Sequence, residues 1–202
     1  NVFPFLIEGT LAGMAAGTVA CHLVERELCA PRCKKMNVYK SRDMAMDLVD
    51  TALVDIAIST ETYVGARAIW DINTVSEIFL AVAKPDSIGL SSIGGLTNPI
   101  SETDSHGLHI EIDKQIDSKY VSAPLTAGNI AKVGIKNISY MMPSHPYVVK
   151  KSPCTIALDG ERSIPLRDGD SVTIVLTGDG PPVIDPHKTL KLVGLNKIYF
   201  KE

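Results

Sequence analysis

Ile156-Ala157-Leu158-Asp159-Gly160-Glu161-Arg162-Ser163-Ile164 reads as strand, two-residue turn, strand. An Asp-Gly pair between apolar runs is a strong hairpin signal, because both central residues of a type I′ turn need positive φ. The stretch also sets a carboxylate, Glu161, directly after the turn. The same grammar continues outward. Residues 162–166 and 171–176 read as strands separated by Asp168-Gly169. Upstream, 35–39, 44–49, 53–59, 63–70, 78–83, 108–112, 120–123, 131–140, 147–150 and 155–158 are further short runs of strand character. Residues 51–58 would also suit a turn or two of helix, and Gly65 marks a bulge. Lys84-Pro85-Asp86-Ser87 is a turn signature. Residues 188–193 read as a last strand, and Thr177-Gly178-Asp179-Gly180 reads as a hairpin turn before Pro181-Pro182. Short strands with turn signals every ten residues or so predict a mainly β chain, a sandwich or a barrel.

One segment departs from this pattern. Leu11, Met14, Ala15, Val19 and Leu23 recur at helical intervals over 10–27, and Pro31 follows closely. Residues 9–24 carry no Asp, Glu, Lys or Arg, but are shorter than the roughly 20 apolar residues of a membrane span. The chain starts at Asn1 inside an apolar run, with no Met. The expectation is a junction helix within 1–34, belonging to a missing N-terminal α/β domain, and a β-rich domain over 35–202.

Composition narrows the function classes. With 45% hydrophobic residues among 202, a sizeable core is possible, and 5% aromatics make it aliphatic. The net charge of −3 argues against a nucleic-acid partner that needs a broad basic face. Arg32, Lys34 and Lys35 could form a local basic patch. Four cysteines, Cys21, Cys29, Cys33 and Cys154, form no paired metal-ligand pattern. They suit a reducing, cytoplasmic compartment. His106 and His109 fall on opposite faces of a strand, which disfavours shared ligation. No metal site is expected from the described patterns.

Several blocks together resemble one family. Asn1-Val2-Phe3-Pro4 runs into Thr10-Leu11-Ala12-Gly13-Met14-Ala15-Ala16-Gly17. Leu53-Val54-Asp55-Ile56-Ala57, Val64-Gly65-Ala66-Arg67-Ala68-Ile69-Trp70-Asp71 and Ser87-Ile88-Gly89-Leu90-Ser91-Ser92-Ile93-Gly94-Gly95 follow. His106-Gly107-Leu108-His109, Ala123-Pro124-Leu125-Thr126-Ala127-Gly128, Ala157-Leu158-Asp159-Gly160-Glu161-Arg162 and Gly178-Asp179-Gly180-Pro181 complete the set. In order and spacing they resemble the ATP-NAD kinase family of the acetoin-catabolism protein X type, within the NAD kinase and diacylglycerol kinase-like superfamily. The resemblance implies a two-sheet β-sandwich of the NAD-kinase C-terminal-domain type. It implies that an intact enzyme transfers the γ-phosphoryl of ATP, with Mg²⁺, to a hydroxyl, the 2′-OH of NAD first among candidates. A lipid or another small alcohol is the alternative acceptor, and a non-catalytic nucleotide-binding or assembly module the alternative role. A homodimer or homotetramer is implied as well.

The family's Gly-Gly-Asp-Gly-Thr loop is not in this chain, so ATP and Mg²⁺ would be held largely by the missing domain and the fragment alone would be inactive. By the same resemblance Glu161 is the catalytic candidate, a carboxylate able to accept a hydroxyl proton. Asn1 matches the last Asn of a segment close to bound nucleotide. Asp55 falls where NAD kinases carry an Asn-Glu pair on the nucleotide, with Val54 in place of the Asn. Thr126 and Gly128 fall in the counterpart of the Thr-Gly-Ser-Thr-Ala-Tyr loop, although Pro124 and Leu125 break its pattern. Ser91 and Ser92, with Gly94 and Gly95, could form an anion-binding nest. Asp159 joins this binding set beside its turn role.

Overall fold

The computed structural model describes residues 6–7, 32–42, 45–61, 71–115, 119–149, 152–184 and 186–197. The expected helix over 10–27 and strand over 63–70, with Gly65 and Trp70, lie outside the described residues. In chain order the strands are β1 (Leu6–Ile7), β2 (Lys35–Arg42), β3 (Ala45–Ala52), β4 (Asp55–Ser59) and β5 (Val75–Leu80). A short helix α1 (Leu90–Gly95) follows, then β6 (Gly107–Asp113), β7 (Tyr120–Thr126), β8 (Asn129–Met141) and β9 (Pro146–Val149). The chain continues through β10 (Cys154–Leu158), β11 (Arg162–Leu166), β12 (Ser171–Thr177), β13 (Val183–Ile184) and α2 (Pro186–Leu195).

Residues 34–178 form one compact unit, and 1–33 with 179–202 a second. In the larger unit two antiparallel sheets face each other, in the orders β11-β10-β4-β5-β6-β8-β7 and β3-β2-β12-β9. Strand alternation explains why. Met36, Val38, Val172, Ile174 and Leu176 of the smaller sheet pack with Ile56, Ile58, Phe79, Ile156 and Leu158 of the larger one. The opposite face of the larger sheet carries Ala57, Ile78, Leu80, Ala157, Leu108 and Ile110, beneath Ile93 of α1. Each fully buried aliphatic side chain contributes on the order of 1.5–3 kcal/mol. The mainly β, sandwich-like arrangement is therefore as the turn pattern predicts.

The second unit contains the parallel pair β1–β13 and the bridge Arg32–Pro182. Here the structure corrects two readings. Residues 177–180 make no hairpin. The chain leaves β12, and Gly180 N–H donates to Cys33 O at 3.0 Å while Cys33 N–H donates to Pro181 O at 3.0 Å. The stretch 188–193 is helical, within α2. Its Lys and Leu residues are good helix formers, and Pro186 suits a first helical position. In the larger unit, 90–95, the segment with the candidate nest residues, is a short helical turn. Gly95 allows its close approach, since a Cβ there would stand 2.2 Å from the Lys84 carbonyl carbon.

Candidate functional site

The Asp159-Gly160 turn is built as its sequence predicts. Asp159 and Gly160 both have positive φ, 50° and 66°. Glu161 N–H closes it by donating to Leu158 O at 3.0 Å. The turn has a second connection that its sequence does not show. One carboxylate oxygen of Asp159 accepts from three successive backbone N–H groups, those of Leu53 (3.1 Å), Val54 (2.8 Å) and Asp55 (3.2 Å). Its other oxygen accepts from Leu53 N–H at 3.0 Å and from Arg162 Nη2 at 3.4 Å. Arg162 also donates to Asp50 Oδ1 at 2.9 Å and to Thr51 O at 2.8 Å. The β10–β11 turn is thus tied to the β3–β4 connection by charge-assisted bonds, which are about twice as strong as neutral ones.

Asp55 stands in the centre of this arrangement. It opens β4, opposite Asp159, and Asp159 N–H donates to Asp55 O at 3.0 Å. Its side chain is mostly buried, and no described group hydrogen-bonds its carboxyl. Burial, and then the neighbouring Asp159 charge, raise that carboxyl from 3.8 to about 6. Burial and a like charge both disfavour the ionised form. Glu161 lies one residue past the turn with an exposed side chain. Asp55 and Asp159 therefore meet at one end of the β4–β10–β11 corner, and Glu161 opens the β11 side of the same turn, exposed.

The remaining candidates lie elsewhere. Thr126 and Gly128 form the β7–β8 hairpin tip, with Gly128 at φ 78°. Strand β7 is an edge of the larger sheet, with β5, β6 and β8 between it and β4. Ser91 and Ser92 are buried in α1. Ser91 Oγ donates to Val82 O at 3.0 Å and Ser92 Oγ to Gly89 O at 2.6 Å. Both hydroxyls hold the α1 turn against its surroundings. Asn1 lies outside the described residues. His109 stacks on Phe79 with centroids 4.3 Å apart, and its Nε2 lies 2.9 Å from Glu77 Oε2. His106 meets the Tyr140 ring instead.

Sequence reasoning missed two features. One is the Asp159 bridge, which spans more than a hundred positions and has no local signature. The other is Lys34, read as part of a basic patch. It is 5% exposed, and its Nζ donates to Ser101 O at 2.9 Å and His106 O at 2.7 Å. Burial lowers its ammonium to about 8, against the opposing pull of Asp104 and Glu102. Among the described residues no group of three or more His, Cys, Asp or Glu side chains is placed to hold a metal ion. No described helix is long and apolar enough to cross a membrane.

Fold and site together define a two-sheet antiparallel domain whose sheet corner presents the Asp55 carboxyl, which has no hydrogen-bond partner among the described residues. Comparison with known sequences makes the class specific. Residues 34–179 match the sequence profile of the acetoin catabolism protein X C-terminal domain, nearly the same bounds as the larger structural unit. The chain is 30% identical over 177 residues to acetoin catabolism protein X of Cupriavidus necator, covering 87% of this chain and 49% of that protein. The chain belongs to the family of the acetoin catabolism protein X C-terminal domain, and it spans about half the length of the curated relative it matches.

Proposed function

We propose that this chain is the acceptor-binding part of an NAD kinase-like phosphotransferase, with NAD as the acceptor and its adenosine 2′-OH as the hydroxyl phosphorylated. The observation that carries the reading is Asp55, a carboxyl raised by burial and by Asp159 that has no hydrogen-bond partner among the described residues; by resemblance it falls where NAD kinases carry a nucleotide-contacting Asn-Glu pair. A carboxyl in that state weakens the fold and gains its partner from a ligand hydroxyl. Perturbed carboxyls of this kind concentrate at functional sites. A carboxylate also suits ribose hydroxyls, as in other dinucleotide sites. In this reading Glu161 takes the acceptor's proton, and ATP with Mg²⁺ is held mainly by residues outside this chain. Assembly as a homodimer or homotetramer belongs to the same proposal.

The test is calorimetric titration of the full-length protein with NAD, beside a panel of lipid alcohols, nucleosides and acetoin. Saturable heat with NAD, lost in Asp55→Ala, supports the reading. Heat with another alcohol and none with NAD rejects NAD as acceptor. The relative's name favours including acetoin, itself a small hydroxyl-bearing molecule. A Gly-Gly-Asp-Gly-Thr loop encoded upstream of Asn1 supports phosphotransfer, and a full-length sequence without it leaves a binding or assembly module.

A further inference from the structure

We propose that Asp159 is the positioning residue of this site, a strut that fixes where the Asp55 carboxyl stands when it meets the acceptor. The inference rests on the reading of Asp55 given above, and moves Asp159 from the ligand-binding set to the supporting structure. Its carboxylate has little capacity left for a ligand. One oxygen takes three backbone N–H groups, and the other takes Leu53 N–H and Arg162.

The geometry grips Asp55 at both ends of its peptide frame. Asp55 N–H donates to the Asp159 side chain at 3.2 Å. Asp55 C=O accepts from the Asp159 backbone at 3.0 Å. A single residue thus holds both backbone groups of the one whose side chain has no hydrogen-bond partner among the described residues. Val54, between the two flanking contacts, is fixed by the shortest bond of the set, 2.8 Å. Positive φ at Asp159 and Gly160 sends the chain back into β11, where Arg162 braces the second carboxylate oxygen. A site needs its touching groups held to about half an ångström by neighbours that are themselves locked. The Asp159 carboxylate supplies that lock from a strand that is remote in sequence.

An asparagine distinguishes this role from the hairpin role. Asn tolerates positive φ at least as well as Asp, so Asp159→Asn preserves the turn. It retains one accepting oxygen but replaces the other with an NH₂ group, which cannot accept from Leu53 or Arg162. It also removes the negative charge beside Asp55.

The experiment uses full-length wild type, Asp159→Asn and Asp159→Ala. NAD affinity is read by calorimetry, and the Asp55 titration midpoint by carboxyl-carbon NMR. In Asp159→Asn the Asp55 midpoint should fall as the like charge disappears, with burial keeping it above an ordinary carboxyl. NAD should bind about tenfold more weakly, the size of one misplaced charged hydrogen bond, with an otherwise wild-type spectrum. If Asp159→Ala fails to fold, Asp159→Asn carries the test. An Asp55 midpoint that does not fall would mean that the Asp159 carboxylate does not stand beside Asp55, which overturns the strut. So does unchanged NAD affinity in a protein that binds NAD. If wild type binds no NAD, the acceptor reading fails, while the midpoint, which needs no ligand, still decides the role of Asp159.

Discussion

Asp55→Asn should stabilise this protein at neutral pH and leave it unchanged in acid. In the folded chain the Asp55 carboxyl is raised to about 6 by burial and by Asp159, against about 3.9 in an unfolded chain. Below about pH 4 both states hold the proton, and the residue carries no electrostatic penalty. As pH rises through 6, the folded state is forced to ionise a group that the unfolded state ionised earlier. Folding stability is therefore lost across that window. A difference of about two units, at about 1.4 kcal/mol each, sets the full penalty near 3 kcal/mol above pH 7. Residual water contact at the carboxyl lowers this to about 2–3 kcal/mol. Urea unfolding of wild type and variant at about pH 4 and about pH 7.5 measures it. Subtracting the two proteins at each pH cancels the other titrating groups. A stability difference equal at both pH values, or a variant less stable at neutral pH, would refute the reasoning. The same variant should lose NAD affinity, because sites are commonly held at a cost to stability.

Three other outcomes follow from the structure. Gly95→Ala should cost at least about 2 kcal/mol by thermal melting, since its Cβ meets fixed backbone at 2.2–2.4 Å. Gly178→Ala, into open space, should stay within about 0.5 kcal/mol, and equal effects would reject the packing argument. Lys34, lowered to about 8 from 10.5, binds its proton less readily in the folded state. Wild-type stability should therefore climb between about pH 8 and 10.5, by at most about 3 kcal/mol. Lys34→Met should lose that climb relative to wild type, and parallel curves would contradict it. Glu161→Gln should keep the fold within about 0.5 kcal/mol, because the side chain is exposed. In the full-length enzyme it should lower turnover by roughly tenfold or more, and wild-type rates would return Glu161 to a solvated turn position.

The strands were legible where the signal is local. Asp159-Gly160 and Gly128 sit at the positive-φ positions of their turns, and Lys84-Pro85-Asp86-Ser87 closes as a turn, with Ser87 Oγ donating to Lys84 O at 2.6 Å. Turn chemistry of this sort is decided within four residues. Residues 188–193, Lys-Thr-Leu-Lys-Leu-Val, are helical and not a strand, because so short a run of polar and apolar residues suits both elements. Lys34 was misread because nothing local announces burial. Its cation is held by two carbonyls from the Ser101–His106 loop, far along the chain. Asp55 was identified through family likeness, while its state depends on burial and on a carboxylate 104 residues away. Long-range electrostatics of that kind is a product of the fold, and a sequence read by itself does not display it.

Asp159 is where the two kinds of information meet. As the first central residue of a type I′ turn, it could equally be Asn, and the hairpin would form. What Asn cannot supply is a second accepting oxygen and a charge. The turn accounts for a short polar residue with positive φ at this position, and the Leu53–Asp55 amides account for its being an acid. The like charge that results falls next to Asp55 and helps to raise its carboxyl toward neutrality. One carboxylate therefore stabilises the β3–β4 connection and destabilises the ionised form of its neighbour. These effects should separate under substitution. Removing the charge but keeping one acceptor should lower the Asp55 midpoint, while truncation to Ala should also leave three amides without their partner. Such orphaned donors cost about 1–3 kcal/mol each where water cannot replace the bond. Partial exposure of the turn should bring the measured loss for Asp159→Ala to about 2–4 kcal/mol. A loss below about 0.5 kcal/mol, within the range of ordinary surface substitutions, would mean that water replaces the carboxylate at all three amides and that the strut does not hold Asp55 in place.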